Sequence, residues 1–345
     1  MTVLTRRSFG GLSAASVAAI CLPEREASAQ GDIISWKIVC NTRLSLQYTV
    51  KWKWLTEKLF EETDGRLHLD VVAFSDLGMT GSELIRMLSI GLIDGGEVVT
   101  GYISGELPIV EGAQMVGIYE NLAQAQAAYE AWLDAVIVPH SEQMGGKPIS
   151  SLAYTSQYLW SKFLVNDLSD IDGKKIRIFA KAQAEFVAAL GASPVSMPIG
   201  EVYSALERGV IDGCVTGPEI GNGFRYEEVV DYATDLLLGP GAGYVVINEK
   251  SWDGLPDDIR TTFEGLLPEM RRISWDVTTD DNERNLAELE SRGLKLNIPA
   301  KPEWIPECKR IAEEVVVPDW AERAGPEGIA AFNKTIAPIV GFKAG

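Results

Sequence analysis

Residues 167–219 constrain the fold more tightly than any other part of the chain. Asp170-Ile-Asp-Gly173 reads as a turn, and Lys174-Lys-Ile-Arg-Ile-Phe179 after it is a short β-rich run. Arg177 therefore falls near the carboxyl end of a strand, the end at which open α/β sheets bind ligands. Residues 182–190 have helical composition and stop at Gly191, a residue suited to the left-handed position that follows a helix. Residues 193–198 are extended, because Pro194 and Pro198 push the residue before each of them out of the α region. Residues 201–208 place Val202, Ala205 and Leu206 on one helical face, and Gly209-Val-Ile-Asp-Gly213 closes the unit. Strand, helix, strand, helix, strand is the order of an α/β sheet with parallel strands.

The preceding half repeats this alternation. Residues 33–40 read as a first strand, with Asn41-Thr-Arg43 at its end expected to enter the cleft. Leu46, Val50, Trp54, Leu55 and Leu59 recur at helical spacing up to Asp64-Gly65. Leu67, Leu69, Val71 and Ala73 alternate as a second strand; Ser82 caps a helix running through Leu92; and Gly95–Gly101 is a third strand with a glycine-rich exit. Helical periodicity returns over 122–133, followed by a strand near 149–154. Tyr244-Val-Val-Ile-Asn248 reads as a strand crossing back between lobes. Residues 256–292 are helical in composition, with an interruption expected at Pro268.

Four linked blocks in the first stretch, "DLSDIDGKKIRIF", "LGASPV", "MPIGEVYSAL" and "GVIDG", resemble the solute-binding subunits of tripartite ATP-independent periplasmic (TRAP) transporters. Weaker echoes are Leu77-Gly78, Gly91-Leu-Ile-Asp94 and Asn248-Glu-Lys-Ser-Trp252. The resemblance implies an α/β, two-lobed fold of the periplasmic-binding-protein type (type II-like), with a hinge and a long helix bracing both lobes. The expected division is residues 31–153 with about 243–280 in one lobe, and 154–242 with about 281–345 in the other. A length of 345 residues suits two domains of ordinary size.

The formal charge of −18 argues against nucleic acid as a partner, because binding phosphates needs basic surface. The two histidines, His68 and His140, have no partner spaced for a metal or a catalytic triad. The chain carries no Gly-x-Ser-x-Gly elbow, phosphate-binding loop or His-Glu-x-x-His. A binding protein, not an enzyme, is expected, with no cofactor and no metal; a periplasmic enzyme on the same fold and a ligand-sensing periplasmic domain are the alternatives. Cys40, Cys214 and Cys308 lie beside apolar residues at spacings that match no zinc template, which favours buried free thiols.

Arg177 stands between Ile176 and Ile178, so its permanent charge lies close to buried surface and needs an anionic partner. The residues alone leave two partners open, a neighbouring carboxylate of the same lobe or a ligand. The resemblance makes this arginine the carboxylate clamp. A second arginine often found before the clamp is replaced near Gln157, and Thr216 stands where the family often has an asparagine that reaches the ligand. Phe179 replaces a common proline; with Trp160 it forms an aromatic wall or, alternatively, ordinary core. Arg43 and Glu219 are the remaining candidates, each also explicable as a solvated surface charge.

Thr5-Arg6-Arg7-Ser8-Phe9, a short apolar run over 10–22 and Ala27-Ser28-Ala29 compose a twin-arginine signal peptide over residues 1–29. The expectation is a monomeric periplasmic protein that captures a small organic acid through its carboxylate and delivers it to TRAP membrane permease subunits.

Overall fold

The computed structural model describes residues 33–79 and 81–345; the expected signal peptide lies outside the described residues. Strand β1 (Ile34–Cys40) pairs in parallel with β2 (Leu67–Ala73), from Ile34 opposite Leu67 to Cys40 opposite Ala73. In β2 the alternation sends Leu67, Leu69 and Ala73 into the core and leaves His68 and Asp70 exposed. Strand β3 (Gly95–Val99) is buried along its whole length, and its glycines allow close packing: a Cβ on Gly96 would stand 2.9 Å from the Val39 carbonyl oxygen.

The remaining strands are β4 (Lys147–Ser156), β5 (Tyr158–Ser161), β6 (Lys175–Ile178), β7 (Ser193–Ser196), β8 (Gly213–Thr216), β9 (Tyr232–Thr234), β10 (Pro240–Ile247) and β11 (Lys295–Asn297). They build two sheets, one in the order β2-β1-β3-β10-β4 and the other β11-β9-β5-β8-β6-β7. Strands β1, β2 and β3 run parallel, as do β6, β7 and β8, whereas β10 is antiparallel to both of its neighbours and β5 to both of its own. The strand, helix, strand, helix, strand unit is present: β6, helix Lys181–Ala189, β7, helix Ile199–Glu207 and β8 follow in that order. Gly191 takes φ +85° just past the first of these helices, a conformation that costs an L side chain strain.

The chain passes from one sheet to the other at three places. β4 and β5 are separated by Gln157 alone, although they belong to different sheets. β9 returns to β10 through residues 235–239. The third connection is the 35-residue helix Asp257–Ser291, about 50 Å long at 1.5 Å per residue. It buries Ile259, Phe263, Met270 and Trp275 in the core around the first sheet and Leu286 and Leu289 in the core around the second, bracing both lobes.

Two expectations are corrected. The long helix is continuous through Pro268, because a proline removes one backbone N–H bond while the apolar anchors on either side keep the helix seated. The helix expected over 82–92 is restricted to Leu84–Ser89 and closes ahead of Gly91, whose φ is +70°. The C-terminal helices pack against elements beside both sheets, helix Lys181–Ala189 among them; Trp320 meets Trp132 edge-on with ring centroids 6.0 Å apart, and its indole N–H donates to the Pro108 carbonyl at 2.8 Å. Large aromatic side chains bury much apolar area, so their placement decides where such a segment docks. Cys40, Cys214 and Cys308 are buried free thiols.

Candidate functional site

Between the two sheets lies a cavity of about 540 Å³, within the size range of small-molecule sites. Its lining comes from the segments that follow β1, β2 and β3 on one side and β6, β7 and β8 on the other. All six are parallel strands, and the cavity sits at their carboxyl ends, as the topology of α/β sheets requires.

Arg177, the third residue of β6, is 1% exposed and lines the cavity. Its Nε donates to the Met197 carbonyl at 3.1 Å and its Nη1 to the Val215 carbonyl at 3.2 Å, so two carbonyls from neighbouring segments fix the plane of the guanidinium. Nη2 has no hydrogen-bond partner among the described residues, and no carboxylate among them pairs with Arg177. Phe179 packs under it, with the guanidinium carbon 5.4 Å from the ring centroid. The segment leaving β6 is held from two directions: Phe179 N–H donates to Gln183 Oε1 at 3.2 Å, and Ala182 N–H donates to Glu111 Oε1 at 2.9 Å.

Phe179 also bridges the cleft. Its ring lies 5.9 Å from that of Tyr102, edge-on, and a Cβ on Gly101 would come within 2.8 Å of it. Gly101 thus allows the close approach of the segment after β3 to the segment after β6.

Thr216, at the end of β8, is 4% exposed and lines the cavity, as does Gln157, whose Nε2 donates to the Thr155 carbonyl at 2.8 Å. Trp160 does not line the cavity. It is fully buried behind the wall, 6.1 Å edge-on from Tyr226, and its indole N–H donates to the Thr216 carbonyl at 2.9 Å, so it supports the backbone that presents Thr216. Arg43 sits at the rim, partly exposed, with its charge already paired to Asp76 at 2.6 Å; that hydrogen bond holds the Asp76 carboxyl below its ordinary range.

Glu219 is not a solvated surface charge. It is 3% exposed, lines the cavity and accepts a hydrogen bond from the Thr155 hydroxyl. Burial lifts its pKa to about 7, with the Asp281 charge adding to the rise and the Thr155 bond opposing it. A Cβ at the nearby Gly217 would overlap both the Thr155 hydroxyl and the Glu219 carboxyl, so a side chain there would displace this hydrogen-bonded pair.

The other side of the cavity contributes residues that sequence reasoning passed over, notably Tyr102 and Tyr154. The Tyr154 hydroxyl donates to Glu97 Oε2 at 2.9 Å, within a buried cluster in which Glu97 also receives Lys51 Nζ at 2.8 Å, Trp52 Nε1 at 2.6 Å and the Asn41 backbone N–H at 2.8 Å. Burial by itself would raise the Glu97 carboxyl, but the Lys51 charge and these hydrogen bonds hold it below its ordinary value. The cluster fixes Tyr154 and the start of the Asn41–Leu44 segment against the cavity. The sole advance signal was the glutamate within the otherwise apolar β3. Among the described residues no group of three or more His, Cys, Asp or Glu side chains is placed to hold a metal ion.

Residues 41–318 match the family model of the bacterial extracellular solute-binding proteins, family 7. A C4-dicarboxylate-binding periplasmic protein DctP of Rhodobacter capsulatus is 33% identical over 176 residues, which cover 49% of this chain and 50% of that relative. A monocarboxylate 2-oxoacid-binding periplasmic protein of a Nostoc species is 24% identical over 341 residues, covering 92% of this chain and 89% of the relative. Among solved structures, a TRAP periplasmic solute-binding protein of Desulfovibrio salexigens with bound orotic acid superposes with a TM-score of 0.80 at 20% identity, over 89% of this chain and 99% of that one. That likeness concerns the two-lobed fold.

Proposed function

Because the chain belongs to family 7 of the bacterial extracellular solute-binding proteins, we propose that it is the solute-binding subunit of a TRAP transporter, capturing a small monocarboxylic acid between its lobes and delivering it to the membrane permease. The observation that carries this reading is Arg177: a buried guanidinium that lines the cavity, oriented by two backbone carbonyls, with no carboxylate partner and no acceptor for Nη2 among the described residues. A buried charge without a partner is costly, and a ligand carboxylate supplies both the countercharge and the acceptors for the open edge of the fork. The lobes close on such a ligand about the strand crossings, and exclusion of water strengthens the pair. Relatives named for a C4-dicarboxylate and for a monocarboxylate 2-oxoacid support a carboxylate as the solute, and the second of them a monocarboxylate.

One cationic side chain free to receive an anion suits a single carboxylate better than the several negative charges of a tricarboxylate, and the aromatic rings of Phe179 and Tyr102 suit a compact, partly apolar body. Export as a monomer through the twin-arginine route belongs to the same reading and rests on Arg6-Arg7 with the apolar run after them.

A thermal-shift screen of organic acids tests the proposal. A ligand at about 100 times its Kd adds roughly 2.7 kcal/mol, a shift of several degrees for a protein of this size. Small monocarboxylates with hydroxy, keto or aromatic substituents are expected to stabilise the protein more than acidic sugars or tricarboxylates do. A largest shift from an acidic sugar would overturn the assignment of ligand class, and no shift from any carboxylate would overturn the function.

A further inference from the structure

Besides the clamp, the cavity holds a second charged side chain with hydrogen-bonding capacity to spare. Glu219 enters it from the first turn of helix Pro218–Gly223, with its carboxyl buried, and among the described residues no cation pairs with it. Apart from its own backbone amide, the Thr155 hydroxyl is the one group among the described residues that hydrogen bonds this carboxyl. Asp281, whose charge acts on Glu219, is itself engaged by Arg284 at 2.8 Å, by the Leu46 backbone N–H at 2.8 Å and by Asn285 at 2.7 Å, so it offers Glu219 repulsion and no proton donor. A carboxyl in this setting has acceptor capacity left over, directed at the space that a ligand fills.

We propose that Glu219 determines specificity, receiving an O–H or N–H donor of a monocarboxylate whose carboxylate rests on Arg177, and rejecting acids that carry a second carboxylate at that end. This deepens the proposed function and rests on it. A ligand donor aimed at Glu219 satisfies a buried acceptor that the protein leaves half used, whereas an analogue lacking that donor leaves the acceptor dry and unpaired. A second carboxylate in the same place sets like charges together in a water-poor cavity or forces one of them to take up a proton. The hydroxyl of Thr155 fixes the carboxyl, and the absence of a side chain at Gly217 keeps room for that hydrogen bond.

The experiment measures affinities of the full chain without its leader for matched probes: 3-hydroxybenzoate against benzoate, pyroglutamate against the lactone in which oxygen replaces its ring N–H, and succinate as the dicarboxylate. Wild type and Glu219→Gln are titrated side by side. The expected result is that whichever scaffold binds wild type loses about 10- to 100-fold when its donor is removed, that succinate binds weakest, and that Glu219→Gln narrows the gap and improves succinate binding. Equal affinities of wild type for the members of a pair, or succinate as its tightest probe, overturns the proposal even if the variant does not fold. An unchanged preference in a folded Glu219→Gln also overturns it, while the monocarboxylate reading survives. If none of these carboxylates binds wild type, the specificity proposal falls; if a broad screen then finds no carboxylate either, the function falls with it.

Discussion

The backbone N–H of Gln157 donates to the carbonyl of Gly239 at 2.8 Å, and these two residues mark the places where the chain leaves one sheet for the other. Gln157 is the single residue between β4 and β5, and Gly239 immediately precedes β10. Both strand crossings are thereby tied at one point, beside the cavity that Gln157 itself lines. A hinge of this kind concentrates the φ/ψ change of lobe closure in few residues.

Gly239 sits at φ +73°, where an L side chain is strained. Replacing it with alanine should cost about 1–2 kcal/mol, seen as a melting temperature lower by a few degrees in the unliganded protein, with the ligand-induced shift altered as well. A Gly239→Ala protein that melts and binds as wild type does would show that the crossing tolerates another backbone conformation.

Glu219 predicts a pH dependence with a definite sign. Its folded-state pKa of about 7 lies above the ordinary 4.5, so the native state binds this proton more tightly than the unfolded chain. The stabilisation from that proton is complete below about pH 4.5 and is lost as pH rises through 7, on the order of 3 kcal/mol in all. Melts of unliganded wild type and Glu219→Gln from pH 5 to pH 8 isolate the term, because Glu111 and Asp235, whose carboxyls burial also raises, are common to both proteins. Wild type should lose stability relative to the variant over this range. Parallel curves would mean that Glu219 titrates in its ordinary range.

Much of this arrangement was legible in local sequence. The Arg177 strand is bounded by turn residues, the helix after it ends at a glycine, and two prolines keep β7 extended, so each boundary has a nearby cause. Features that depend on tertiary packing were harder to read. Glu219 looks like a surface charge until the fold lays Thr155 and Asp281 beside it. Trp160 looks like a wall residue, yet its indole N–H finds its partner in the Thr216 backbone and draws the ring behind the wall. Pro268 reads as a break, but anchors in both cores carry the helix across it. The role of Gln157 follows from sheet membership, which no window of sequence around it encodes.

Export is tested by changing Arg6 and Arg7 together to lysine. Lysine lacks the planar five-donor head of arginine, so the precursor should remain in the cytoplasm while the folded domain is unaffected. Undiminished periplasmic accumulation, followed by fractionation and immunoblotting, would show that the arginine pair is not what directs export.

The clamp is tested most directly by calorimetric titration of Arg177→Ala and Arg177→Lys with the acid that stabilises wild type most, each beside a melt of the unliganded protein. Removing one partner of a buried ion pair costs about 3–5 kcal/mol, roughly a 10²- to 10³-fold loss of affinity or more. Arg177→Ala should therefore lose capture, and Arg177→Lys should recover little of it, since an ammonium cannot reproduce the two-pronged contact. The unliganded variants should remain folded, with a modest loss of stability from the Met197 and Val215 carbonyls left without their donor. Binding by Arg177→Ala within a few-fold of wild type, or failure of the variant to fold, would contradict the assignment of Arg177 as the carboxylate clamp.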